Sequence, residues 1–292
     1  MPETVLVTGA AGTIGQHLVR LLVNDGCDVR ATVRSEAAAA KMAGLGANPV
    51  FADFEDRESL AGALNDVGAA VLITPAHEKA DLYARCFIDA ARRAALKRLI
   101  RVSALKAAAD GPTENTRLHA CTERYLEASG LPHVILRPHL FMQNLLISVQ
   151  SLAADGTFSF SMGDGRMGMI DTRDIAQCAA RCVLSDEHLG RTFELTGPQS
   201  LSWHDAAKVL SEVLARPVSY VPVDPQQQFK SLCEFGVDPW MAGVLRDYGT
   251  AYSAGWGNYT TEAVAEITGR PATGFRQFAS DVIAPLVRNT GE

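Results

Sequence analysis

An α/β fold is predicted, a doubly wound parallel sheet with a smaller, mostly helical C-terminal lobe. Three observations predict it. Short apolar runs rich in β-branched residues alternate with helical periods through the first half of the chain. The first such run ends in glycines at positions 9, 12 and 15. Beyond Gly197-Pro198 helical periods take over almost entirely.

The first run, Val5-Leu6-Val7-Thr8, leads into Gly9-Ala10-Ala11-Gly12-Thr13-Ile14-Gly15, and Ile14, Leu18, Leu21 and Leu22 then recur at helical spacing. This reads as strand, tight turn, helix. Gly9 permits the reversal, Gly12 lets a pyrophosphate approach the backbone, and Gly15 lets the helix pack close to its strand. The helix start offers unpaired N–H groups and a positive dipole end to phosphates. That is the signature of a Rossmann-type dinucleotide site.

Further strands are expected at Asp28 to Val33, Pro49 to Ala52, Ala69 to Thr74, Arg98 to Ser103 and His133 to Arg137. Helices are expected between them, with Ser35 as an N-cap and Gly130 closing the helix that starts at Thr113. Alternation at this interval implies parallel strands covered on both faces and right-handed crossovers. From Phe141 to Leu152 the pattern is helical. Thr157 to Phe160 and Met167 to Ile170 flank a Gly163-Asp164-Gly165 turn, as two strands would. A helix follows Asp171-Thr172, and Arg191 to Leu195 is a strand. The remainder is helix, with one short strand at Val218 to Val221. Residues 1–140 with 165–197 are expected to form the dinucleotide-binding domain. Residues 141–164 with 198–292 are expected to form the lobe that covers substrate.

A chain of 292 residues buries a substantial core, and 47% hydrophobic with 21% charged residues suits a globular enzyme. The net charge of -6 argues against a nucleic-acid partner. Arg92-Arg93 and Lys97-Arg98, the densest basic stretch, reads as a solvated helix end. No apolar run approaches the ~20 residues of a membrane span, and no signal-peptide pattern opens the sequence. None of the six cysteines forms a CxxC and the histidines show no metal-binding spacing, so no metal is expected. The expectation is a cytoplasmic protein, monomer or homodimer, acting on a small molecule.

Ligands of such sheets bind beyond the carboxyl ends of the strands. That rule singles out Thr8, Arg34, Asp53, Thr74, Ser103 and Arg137. Arg34 stands where the adenosine ribose would lie; its forked donors suit a 2′-phosphate, so NADP(H) is expected over NAD(H). Glu36, two residues on, fits the first turn of the next helix instead. Asp53 either accepts a hydrogen bond from the adenine amino group or caps the next turn. In Thr74-Pro75-Ala76-His77, Pro75 offers a flat wall to the nicotinamide ribose, and His77 either faces substrate or is solvated.

Asn115, His119 and Glu123 share one helix face at i, i+4 and i+8. Short-chain reductases place a Tyr and a Lys four residues apart on this helix, after a Ser at the preceding strand end. Ser103 is present, but none of Tyr83, Tyr125, Tyr220, Tyr248, Tyr252 and Tyr259 has a Lys four residues later. His119 stands near the vacant pair as proton donor or, preferably, as a positioning group, with Glu123 orienting its ring.

Together these residues resemble the NmrA-like branch of atypical short-chain dehydrogenases, and within it the type 2 quinone oxidoreductases and triphenylmethane reductases. The resemblance rests on the Thr8-to-Gly15 turn, Thr32-Val33-Arg34, His119-Ala120-Cys121-Thr122-Glu123 before Ser129-Gly130-Leu131-Pro132, and Leu136-Arg137-Pro138 running into Phe141-Met142-Gln143-Asn144. Asp171 to Ala176 and Leu195 to Pro198 extend it into the second lobe. It implies that Gly9, Gly12, Thr13, Ile14, Arg34, Asp53, Pro75 and His119 are cofactor contacts, and that Phe141 and Asn144 line the wall between the lobes. Ala11, Phe54, Thr74, Ala76, Ser103 and Pro138 complete the expected cofactor set. Expected substrate contacts are His77, Phe141, Asn144, Phe160, Trp240 and Tyr248, within an apolar group that also holds Phe158, Met162, Met167 and Trp256.

Reducing a plain ketone develops an alkoxide that needs a positioned acid or oxyanion donor. Quinones, enones, iminium ions and cationic dyes accept hydride into a delocalised system. The missing pair therefore points to an NADPH-dependent reductase of conjugated acceptors. The alternative is a non-catalytic NADP-binding redox sensor of the NmrA type. A sugar-nucleotide epimerase is disfavoured, because that chemistry relies on the absent Tyr and Lys.

Overall fold

The computed structural model describes residues 4–290 and divides into two units. The first comprises the chain up to Gly111 together with Asn115–Pro138 and Thr172–Glu194. Its elements are β1 (Thr4–Val7), α1 (Thr13–Asn24), β2 (Asp28–Val33), α2 (Glu36–Gly44), β3 (Asn48–Phe51), α3 (Arg57–Leu64), β4 (Ala69–Leu72), α4 (Ala80–Arg93), β5 (Arg98–Val102), α5 (Glu114–Ser129) and β6 (His133–Pro138). The sheet runs β3-β2-β1-β4-β5-β6 and continues to a strand at Thr192–Leu195. β1 to β6 pair in parallel, as the alternating pattern predicts. The order reverses between β1 and β4, so their carboxyl ends border the crevice where this architecture binds ligands.

Burial explains the composition of the strands. Val5, Leu6 and Val7 are fully buried, as are all four residues of β4. A central parallel strand covered on both faces needs such a run. Leu6, Leu72 and Leu99 pack with Phe87, Ile88 and Ile135 in one cluster. Asp28 joins three strand starts, accepting from Thr4 Oγ1 at 2.9 Å and from Asn48 Nδ2 at 2.8 Å. At the opposite end Thr8 clamps β1 to β4. Its Oγ1 donates to Ile73 O at 2.9 Å and accepts from Ile73 N at 2.8 Å. β3 is an edge strand containing Pro49, with Phe51 half exposed.

The second unit comprises Pro112–Glu114, His139–Asp171 and residues from Leu195 onward. A 3₁₀ turn over Met142–Ser148 leads into α6 (Val149–Ala154) and β7 (Thr157–Phe160). The chain then returns to the first unit for α7 (Thr172–Leu184) and β8 (Thr192–Leu195), the seventh strand of the main sheet. Back in the second unit come α8 (Trp203–Leu214), β9 (Ser219–Pro222), α9 (Pro225–Glu234), α10 (Pro239–Ser253) and α11 (Ala263–Thr268). Local chemistry sets their starts. Ser202 and Asp205 form a capping box, and Asp224 and Asp238 each cap a helix whose first residue is proline. The last helical run holds α12 (Phe275–Phe278), a π turn over Ala279–Ile283 and α13 (Ala284–Thr290). Pro285 lacks the N–H that a regular helix would need there, which accounts for the wider turn before it. No described helix is long and apolar enough to cross a membrane.

The hairpin expected around Gly163-Asp164-Gly165 does not form. β7 pairs with β9 in parallel, while Met167 and Ile170 make single bridges to Leu201 and Phe141. Those two bridges hold residues 165–171 within the second unit, whereas the sequence pattern had grouped them with the first.

Gly15 shows how little room the β1–α1 junction leaves. A Cβ there would lie 2.3 Å from Gly9 O and 2.6 Å from Ala10 Cα, both backbone atoms. Gly62 in α3 has nothing within 4 Å of the same point. Gly15→Ala should therefore cost about 1–3 kcal/mol in unfolding free energy through overpacking. Gly62→Ala should raise stability by up to about 1 kcal/mol through helix propensity. Urea unfolding midpoints of the two variants should move in opposite directions.

Candidate active site

The glycine turn places backbone donors where a phosphate can reach them. Gly9 has φ +61°, and Gly12 N–H donates to Gly9 O at 3.0 Å, closing the turn. Gly12 is the N-cap of α1 with extended backbone, no side chain caps the helix, and its first turn carries no acidic residue. Gly12 and Thr13 are exposed and Ala11 is half-buried, its carbonyl accepting from Gln16 Nε2 at 2.7 Å. Ile14 turns its side chain into the core, leaving only its backbone to face a ligand. An uncapped helix start beside residues without side chains fits a dinucleotide pyrophosphate.

Arg34 is exposed immediately after β2. Ser35 caps α2, its Oγ accepting from Ala38 N at 3.3 Å, and Glu36 occupies the first helical turn. The dipole position expected for Glu36 is thus the one it holds. Asp53 is exposed after β3, and its Oδ1 accepts from Glu55 N at 2.9 Å, which is the turn-capping arrangement. Phe54 stacks on Tyr83 with centroids 5.6 Å apart and packs against the core cluster. Tyr83 also stacks on His77, whose Nδ1 accepts from Lys79 N at 3.0 Å. Pro75 and Ala76 are exposed beside it.

Beyond the ends of β4, β5 and β6 lies a polar cluster. Ser103 and Glu123 are buried and His119 is half-buried. Ser103 Oγ donates to Glu123 Oε1 at 2.5 Å and lies 3.3 Å from His119 Nδ1. Arg137 clasps Glu123 through Nε at 3.0 Å and Nη2 at 2.5 Å, and reaches Glu194 through Nη1 at 3.2 Å. The hydrogen bond to Glu123 is the main cause raising the Arg137 pKa. No direct hydrogen bond from Glu123 to the imidazole forms, which corrects the expectation that it orients His119 directly: Ser103 and Arg137 take its oxygens, and Ser103 stands between it and the ring. Pro138, which ends β6, is buried next to this cluster in sequence.

Arg101, the penultimate residue of β5, is not among the expected site residues. It is 1% exposed. Nη1 donates to Leu72 O at 3.3 Å, and Nη2 lies 3.0 Å from Thr74 Oγ1 and 3.2 Å from His119 Nδ1. Burial pulls its pKa down to about 10, against the attraction of Glu123 and Asp81. Burial and the Arg101 charge together hold the His119 pKa well below its usual value. The available signal was a lone arginine inside the apolar run Leu99-Ile100-Arg101-Val102.

In the second unit the expected aromatic substrate contacts separate into two groups. Phe160 is buried and stacked on Trp203 with centroids 4.5 Å apart, and Phe158 meets the same ring edge-on. Trp203 Nε1 donates to Met162 Sδ at 3.1 Å, and Met167 is fully buried. Phe158, Phe160, Met162 and Met167 are core with Trp203, which removes Phe160 from the substrate set. Tyr248 and Trp256 are half-buried and group with Tyr252. Trp240 is half-buried near the start of α10. Phe141 is half-buried and bridges to Ile170, and Asn144 is exposed on the 3₁₀ turn.

Removing Glu123 should expose how much of this cluster depends on it. Glu123→Ala leaves Arg137 with one carboxylate and Ser103 without its acceptor, so unfolding free energy should fall by about 3 kcal/mol. Glu194, whose side chain is 26% exposed, should cost within about 1 kcal/mol when replaced by Ala. Chemical denaturation of both variants measures the difference.

Comparison with known proteins identifies the family. The family described as NAD(P)H-binding matches residues 9–186. The NAD(P)H azoreductase of Xenophilus azovorans is 31% identical over 279 residues, covering 94% of this chain and 96% of that protein. The NADPH-dependent quinone oxidoreductase QOR2 of Escherichia coli, solved with NADPH, superposes with a TM-score of 0.85 at 26% identity, covering 94% of this chain and 98% of that one. The negative transcriptional regulator NmrA, solved with NADP, shares the fold at a TM-score of 0.83 and 17% identity, covering 100% of this chain and 98% of its own. The family match spans most of the chain and the azoreductase is similar over nearly all of it, so the chain belongs to the NAD(P)H-binding family.

Proposed function

We propose that this protein is an NADPH-dependent reductase that delivers hydride to a conjugated acceptor such as a quinone, an enone or an iminium-type compound. One observation carries the choice of acceptor. On α5, where short-chain reductases hold a proton-donating Tyr, the titratable group is His119, whose pKa burial and the Arg101 charge hold well below its usual value. Such a group is unprotonated at working pH and cannot act as an imidazolium acid. A plain ketone would gather the full charge on one oxygen with no acid to protonate it, whereas a conjugated acceptor spreads the arriving charge. The azoreductase and quinone oxidoreductase relatives support this reading, since both names describe conjugated acceptors.

The reduced dinucleotide, when bound, supplies the hydride. The chain's own residues hold and orient it. Gly9, Ala11, Gly12, Thr13 and Ile14 present backbone to the pyrophosphate, and Arg34 presents forked donors to a 2′-phosphate. Thr74, Pro75, Ala76, Ser103, His119 and Pro138 flank the nicotinamide end, and the exposed Asp53 and Phe54 lie toward the adenine end. His77, Phe141, Asn144, Trp240 and Tyr248 are the proposed substrate contacts. The sensor alternative draws on the same missing pair, but the likeness to the regulator extends only to the fold.

An acceptor panel tests the reading. NADPH oxidation should be at least about tenfold faster with quinones and enones than with simple ketones, a difference of about 1.4 kcal/mol in barrier. Turnover of simple ketones alone would overturn it, and no turnover of any acceptor alongside tight NADP binding would favour the sensor. Separately, Arg34→Ala should weaken NADPH binding about 10- to 100-fold, the equivalent of one charge-assisted contact, and leave NADH affinity nearly unchanged. Equal losses for both dinucleotides would defeat the Arg34 assignment.

A further inference from the structure

We propose that Arg101 is a positioning residue that fixes His119 as a neutral imidazole carrying its proton on Nε2, so that His119 serves as a hydrogen-bond donor and not as a proton donor. The geometry allows the hydrogens to be assigned. A guanidinium has donors and no acceptor, so Arg101 Nη2, 3.2 Å from His119 Nδ1, must donate to it. Nδ1 is then the acceptor. The other neighbour of Nδ1, Ser103 Oγ at 3.3 Å, has one hydrogen, and that hydrogen goes to Glu123 Oε1. Glu123 is in turn held by two donors of Arg137, so Ser103 is not free to turn.

The donor is itself anchored. Arg101 also reaches Leu72 O and Thr74 Oγ1 at the carboxyl end of β4, so its guanidinium cannot swing away without breaking two further contacts. His119 Nε2 has no hydrogen-bond partner among the described residues. It is therefore the nitrogen open to a ligand.

The charges around the ring come from every neighbouring strand. Arg101 of β5 and Ser103 just beyond it reach the ring, Thr74 past the end of β4 holds Arg101, and Glu123 lies on the ring's own helix behind Ser103. Arg137 of β6 and Glu194 of β8 close the chain of contacts, and Asp81 of α4 acts on Arg101 from a distance. The cation nearest the ring is Arg101, which opposes a second positive charge there.

The catalytic consequence rests on the reductase reading. With a quinone or an enone as acceptor, hydride supplied by a bound reduced dinucleotide would leave an electron pair on the acceptor oxygen. The Nε2–H stabilises that charge without transferring its proton. Water supplies the proton that completes the product, and the dinucleotide leaves oxidised.

The test is nitrogen-15 NMR of the histidine rings in the full-length protein without ligand, with His119→Asn to assign the signal. Wild-type His119 should show an unprotonated Nδ1 and a protonated Nε2, with no titration between pH 8 and about 6. In Arg101→Met its pKa should rise by about one unit or more, toward the ordinary 6.5. The kcat of that variant should acquire a pH dependence in the same range, while its KM for NADPH changes little. Titration of wild-type His119 near 6.5, or a proton on Nδ1, would overturn the proposal. If Arg101→Met does not fold, the wild-type spectrum alone decides. Because the spectrum needs neither cofactor nor substrate, absence of NADPH turnover would count against the reductase reading and leave the tautomer assignment standing.

Discussion

The contact on which the ligand end of the first unit depends is the one between the start of α1 and the turn that follows β1. Gly15 lies so close to Gly9 O and Ala10 Cα that no side chain fits between them. That approach sets where the first free N–H groups of α1 point, and hence where a phosphate can sit. Thr8 then fixes the same turn to β4 through both its hydroxyl bonds to Ile73. A ligand held at α1 therefore has its position defined relative to the end of β4, two strands of the switch point joined by one side chain.

Arg101 extends that logic to β5. A buried guanidinium is costly, and here its cost is offset by a carbonyl, a hydroxyl and an imidazole rather than by a direct carboxylate partner. The carboxylates Glu123 and Glu194 are instead paired with Arg137. Separate pairing of the two arginines leaves His119 beside an uncancelled positive charge. Burial is the larger cause of that histidine's low basicity, and the way the cluster distributes its partners adds the Arg101 charge to it.

Much of the fold is written plainly in the sequence, because a parallel sheet covered on both faces demands apolar runs at regular intervals. β1 to β6 and their helices follow directly from that demand. The second unit is less legible. Met167 to Ile170 has a strand's composition, yet Ile170 pairs with Phe141, 29 residues back, and Met167 with Leu201, 34 residues on, and local pattern carries no information about such pairings. The site divides in the same way. Gly9, Gly12 and Arg34 are visible because their roles are local to one turn or strand end. Arg101 was missed because its partners, Leu72, Thr74 and His119, come from separate elements. Phe160 was misread because an aromatic in a short strand looks the same in a core as in a pocket, and only its stacking on Trp203 distinguishes them.

The edge strand β3 carries one further implication. Ala52 N–H points inward to Val33 O, so by alternation the backbone nitrogens of Asn48 and Val50 face β2 while those of Pro49 and Phe51 face outward. Pro49 has no hydrogen to offer, which leaves Phe51 as the single outward amide of the strand. A passing chain in extended conformation would find one donor where a ladder needs several. This edge of the sheet is thus a poor template for strand addition.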